Sequence, residues 1–131
     1  MAVGLSAVNF ANKMLDHMLR ATASTAPAGN FVKLHTADPG SAGATAASSV
    51  TTRPSATFNA ASAGACTLSN TPTWASWAGT SPETVTHISV WDASTAGTFL
   101  YSVSLTVSKV VQTGDTLTLT SLSVSLAPLA A

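Results

Sequence analysis

The chain has 131 residues, of which 8 % are charged, and five Lys+Arg balance five Asp+Glu for a formal net charge of zero. Typical soluble domains carry about 25 % charged residues, so the polarity here comes from Ser, Thr and Asn. The five cations, Lys13, Arg20, Lys33, Arg53 and Lys109, are scattered and form no patch or stripe, which excludes electrostatic nucleic-acid binding.

The length suits one domain, 1–131, with an N-terminal helix in 1–22 and a β domain over 31–131. A single cysteine, Cys66 in "GACTLS", excludes an internal disulfide framework and reads as a small buried hydrophobe on a strand. The N-terminus is not expected to be a signal peptide: it has no basic segment, and Asn12, Lys13 and Asp16 interrupt its apolar run. No stretch is long and apolar enough to span a bilayer, so no membrane partner is expected. A low-charge, Ser/Thr-rich surface protects poorly against association and suits a protein packed against neighbours.

"GLSAVNFANKMLDHMLRA" is the one helical segment. Leu5, Val8, Leu15 and Leu19 fall on one side at three/four spacing, and Ala11, Met14 and Met18 widen it. Ser6 is the expected N-cap. This face should pack on a sheet or on a neighbouring subunit. "TASTAPAGN" ends the helix with Pro27 and Gly29.

From Phe31 onward the chain reads as β. "NFVKLHT" is a short strand, and "ADPGSAGATAASSVTT" is a long loop, read as a flexible contact arm over 40–52. "RPSATFNAAS" and "GACTLSNTPTWASW" are weaker strand candidates; "ETVTHISVWDA" is a stronger one. In "TFLYSVSLTVSKVV", Phe99, Tyr101, Val103, Leu105 and Val107 alternate with Ser and Thr, and Leu100 alone breaks the period of two. In the last segment Leu117 and Leu119 are apolar at odd positions, but Leu122, Val124 and Leu126 at even ones. One straight strand cannot keep both sets on one face. A bulge near Thr120 and Ser121, or a crossing between sheets, is expected there. "DASTAG" and "QTGD" are turns, the latter with Gly114 suited to positive φ. The fold class is mainly β: an antiparallel β-sandwich or roll with one N-terminal α-helix.

No catalytic, metal-binding or cofactor-binding residue is expected. His35, Asp38 and Ser41 have the residue types of a hydrolase triad, but triads assemble from separate segments, no G-x-S-x-G elbow accompanies them, and Asp38–Pro39–Gly40 is turn chemistry. The histidines His17, His35 and His87 lack metal-ligand spacing, and His87 reads as a polar cross-strand partner. Glu83, Asp92, Asp115, Asp16 and Asp38 form no acid–base pair recognisable from spacing. Trp74 and Trp77, three apart in "WASW", would point to opposite faces of an extended chain, placing one in the core and the other at an interface. Assembly contacts are expected at the helix, the 40–52 loop and the C-terminal "LAPLAA", with Leu5, Met14, Met18, Ser41, Thr45, Val50, Trp77 and Leu129 as candidates.

"LHTADPGSAG", "SNTPTWASW", "ETVTHISVWDASTAGTFLYSVSL" and "VVQTGDTLTLTSLSVSL" together resemble small virion proteins of tailed phages that infect actinobacteria. Such proteins are described as head decoration (minor capsid) or as minor tail and tail-fibre proteins. The resemblance implies a non-enzymatic virion structural role without cofactors. The chain is short for a fibre and shows no fibre repeat or coiled-coil trunk. Those features favour a capsid decoration protein, with the major capsid protein and further copies of itself as partners. A tail or tail-fibre component is the alternative; a glycan-binding domain or small hydrolase is the third reading.

Overall fold

A computed structural model describes residues 3–127 and 130. In chain order the elements are β1 (Gly4–Leu5), a π-helical turn (Ala7–Ala11), α1 (Asn12–Arg20), β2 (Phe31–His35), β3 (Ala65–Thr67), β4 (Thr73–Trp74), β5 (Glu83–Trp91), β6 (Phe99–Val111), β7 (Leu117–Thr118) and β8 (Ser123–Ser125). The fold is mainly β and antiparallel. One four-stranded sheet has the order β1-β6-β5-β2, and two ribbons pair β3 with β8 and β4 with β7.

The two runs richest in period-2 signal, β5 and β6, form the centre of the sheet. Register across β2, β5 and β6 aligns Val32 with Val90 and Tyr101, and Leu34 with Ile88 and Val103. These residues share one face because side chains alternate along a strand. The ribbons close over that face. Val32, Leu34, Trp74, Trp77, Ile88, Val90, Tyr101 and Leu122 belong to one hydrophobic cluster, and Leu117, Leu119 and Val124 pack against it.

Two irregularities explain the broken patterns. The β5–β6 register slips between Val90 and Trp91, so Val90 faces Tyr101 while Trp91 faces Phe99. Leu100 takes up the extra residue and joins the core. Phe99 therefore does not share the face of Tyr101, as the alternation suggested; it packs against Trp91 on the other side, with ring centroids 5.7 Å apart. The phase change in the last segment is a crossing between sheets. Leu117 lies opposite Trp74 in one ribbon, whereas Val124 lies opposite Cys66 in the other. Moving between ribbons lets odd and even leucines reach the same core.

The N-terminal segment differs from a single helix over 1–22. Gly4 and Leu5 pair with Ser102 and Tyr101, so this segment adds a strand to the sheet. Ser6 then caps the helical run, its Oγ accepting from Asn9 N–H at 3.2 Å. The first turn is wide, with Ala11 N–H donating to Ser6 O. Asn9 Nδ2 donates to Phe99 O, and Phe10 meets Tyr101 edge-on. These contacts orient the start of the helix, but α1 itself buries no residue. "RPSATFNAAS" forms isolated bridges at Ser55, Phe58 and Ser62 rather than a strand.

Candidate functional site

The long loop after β2 is not a free arm. It folds back over the outer face of the sheet, and the chemistry of β2 and β5 holds it there. Thr36 N–H donates to Ala46 O, and Ser48 N–H to Leu34 O. Glu83, at the start of β5, accepts from Ser48 Oγ at 2.5 Å and from Ser49 N–H at 3.0 Å. Asp38 Oδ1 accepts from Gly40 N–H at 2.9 Å, which is the expected turn. Gly43, at φ +67°, sits against the Phe99 ring.

Under this cover lies His35, fully buried. Its Nδ1 is 2.8 Å from Thr45 O and its Nε2 2.7 Å from Ser89 Oγ. A carbonyl can only accept, so Nδ1 carries the proton and Nε2 accepts from the Ser89 hydroxyl. Ser89 Oγ in turn accepts from Trp91 Nε1 at 2.8 Å. Burial, partly opposed by the Thr45 carbonyl and reinforced by the Lys33 and His87 charges, holds the imidazole below its usual pKa. The serine that meets His35 is thus Ser89, 54 positions away, and not Ser41. Both ring nitrogens are engaged and the pair is sealed from solvent, so a substrate cannot reach it. The arrangement is a hydrogen-bonded clasp between β2, β5 and the loop. Spacing within "HTADPGS" gave no signal for it, because Ser89 comes from another strand.

His87 lies opposite His35 on one side and Ser104 on the other, and its Nδ1 is 2.7 Å from Thr86 Oγ1. Among the described residues, no three His, Cys, Asp or Glu side chains gather to hold a metal ion. Asp92 Oδ1 accepts from Thr98 N–H, and Asp115 Oδ2 from Gln112 N–H. Both carboxylates serve local turns.

Trp74 and Trp77 are both core residues, 4 % and 2 % exposed. Trp77, named as an interface candidate, is not on the surface. The chain bends between the two tryptophans, with Ser76 at φ +52°, so the opposite-face geometry of an extended strand does not apply. Their indole N–H groups donate to Thr52 O and Thr80 O. Val50 also packs against the core. Met14 is half-buried beside a groove between the helix and residues 24–28. Leu5, Met18, Ser41 and Thr45 are exposed. Leu129 lies outside the described residues.

The most prominent surface feature is apolar. Val8, Leu15, Met18 and Leu19 are 71 %, 51 %, 73 % and 79 % exposed. They occupy one stripe at three/four spacing, turned away from the body, while Phe10 and Met14 face it. Of the two covers expected for this face, a sheet or a neighbouring subunit, the chain's own sheet does not supply one. Val107 and Val110 are also exposed, at the far end of β6, beyond β1, which pairs only with Tyr101 and Ser102.

A family model described as "Podophage GP4 fiber I protein gp80" matches residues 4–127. No curated protein matches the chain.

Proposed function

Because the chain belongs to the podophage GP4 fiber I protein gp80 family, a family of phage virion proteins, we propose that it is a non-enzymatic structural subunit carried on the virion tail with the fibre. The observation that carries this reading is the family match across residues 4–127. It favours the tail over capsid decoration, the reading that the short length suggested. Shortness excludes a fibre only if one copy must form the whole shaft. A small subunit adds to a fibre by contact with others. An actinobacterial host, suggested by the sequence resemblance, is part of this proposal.

The helix stripe supports a role in assembly. An isolated nine-residue helix is marginal in water, and four large apolar side chains along one side are better satisfied by a partner helix. We assign that role to a second copy of the chain, meeting at Val8, Leu15 and Met18. Quantitative mass spectrometry of intact virions and separated tails is the test of location. A handful of copies per virion, recovered with tails, is expected; hundreds recovered with heads would refute the tail assignment. For self-association, replacing Leu15, Met18 and Leu19 together by Gln keeps helix propensity. Light scattering should then show loss of the oligomer with little change in Tm, because these side chains do not touch the core.

A further inference from the structure

An open cleft of about 760 Å³ lies between the 50–54 segment, the bend at 73–78 and the tip of the β5–β6 hairpin. Its size falls in the range of small-ligand sites. Hydroxyl side chains of Thr51, Thr52, Ser76, Ser94 and Thr95 contribute to the lining, and Arg53 is the one charged residue in it. Buried Trp74 and Trp77 form part of the apolar wall.

Arg53 is held in a defined position. Its guanidinium carbon lies 4.4 Å from the centre of the Trp91 ring. One terminal nitrogen donates to Ala96 O at 2.8 Å and to Ala93 O at 3.3 Å. Those bonds use one of three guanidinium nitrogens, and the remaining N–H groups can still donate. A second cation stands nearby: Lys33 Nζ is 5.8 Å from the same Trp91 ring. Two of the chain's five Lys+Arg residues thus flank one aromatic side chain. Among the described residues the only ion pair is Arg20 with Asp16, on the helix. Asp92, next to Trp91, directs its carboxylate oxygen to Thr98 N–H at 2.6 Å. Arg53 therefore brings positive charge, without a bonded carboxylate, to a mainly apolar cleft punctuated by Thr and Ser hydroxyls, while Lys33 stands outside its lining. Consistently, burial and the Arg53 charge lower the Lys33 pKa.

We infer that this cleft binds an acidic carbohydrate, with Arg53 gripping a carboxylate or phosphate and the Thr and Ser hydroxyls meeting the sugar or polyol hydroxyls. A fixed guanidinium presents paired donors to a planar or tetrahedral anion, and hydroxyls can donate to and accept from a polyol. Lys33 adds longer-range attraction. The inference rests on the cleft and not on where in the virion the protein sits.

The test uses calorimetric titration of the full chain with three probes: an oligogalacturonate, a glycerol-phosphate oligomer and neutral dextran. Binding of at least one anionic probe, weakening with added salt, and none of dextran is expected; the two anionic arms identify whether carboxylate or phosphate is the anion. Arg53→Ala should weaken the bound probe at least tenfold, with Arg53→Lys intermediate because it keeps charge and loses the fork. Should Arg53→Ala fail to fold, the Ser94→Ala/Thr95→Ala double variant on the exposed hairpin tip serves instead, with a severalfold loss expected. No binding of either anionic probe, equal binding of dextran, or undiminished binding by the folded variants would overturn the inference.

Discussion

His35 illustrates how much a single residue's meaning depends on its surroundings. On paper it stands near Asp38 and Ser41; in the fold it bonds Thr45 and Ser89 and is sealed from water. Its depressed pKa sets the sign of a pH effect. Below an unfolded-state value of about 6.5, the unfolded chain takes up a proton that the folded chain resists. The His35 contribution to stability is therefore complete above that pH and declines as pH falls through it toward the folded-state pKa, by at most about 1.4 kcal/mol per unit. Urea melts at pH 7.5 and 5 should show this decline. Ser89→Ala, which leaves Trp91 Nε1 and His35 Nε2 without their shared partner, should cost about 1–3 kcal/mol at pH 7.5. A value near zero would mean that the clasp contributes nothing.

At the scale of elements, the loop between β2 and the Phe31–Ser55 bridge is a cover rather than an arm, and its fit can be measured. A Cβ at Gly43 would collide with the Phe99 ring, and the residue also has positive φ. Gly114 has positive φ but open space around it. Gly114→Ala should cost about 1 kcal/mol from backbone strain alone. Gly43→Ala should cost about 1–3 kcal/mol more, from overpacking, and should speed amide exchange at Thr36 and Ser48. Equal costs for the two variants would show that the loop does not press on Phe99. The apolar side of the helix was legible from its three/four spacing, but its partner was not. Periodicity identifies a face that needs cover and says nothing about which surface supplies it.

The whole molecule relies on apolar packing and on hydrogen bonds, several of them from single charged groups such as Glu83, Asp92 and Arg53 to uncharged partners. Its one ion pair among the described residues, Arg20–Asp16, is exposed on the helix and contributes about 0.3–0.5 kcal/mol at most. Tm should therefore move by about 2 °C or less when NaCl is raised from low concentration to about 1 M. A much larger loss in NaCl would point to charge interactions beyond that pair. By contrast, binding in the Arg53 cleft should weaken over the same range, which separates stability from ligand recognition in one molecule. At this scale too, low charge pointed to association and short length to capsid decoration, whereas the proposed tail location rests on family membership and not on packing.

The sequence by itself determined the mainly β class, the strands β5 and β6, the turns at Asp38 and Gly114, and the change of phase before Leu122. Each of these is a local matter of alternation or turn chemistry, carried by residues close together in the chain. Only the tertiary structure decided that Ser89 partners His35, that both Trp74 and Trp77 enter the core, that Phe99 and Leu100 take opposite sides, and that the helix stripe stays uncovered. Those outcomes depend on register and on contacts between distant segments. A one-residue slip in register reverses which side a residue faces, and no local pattern records where that slip occurs.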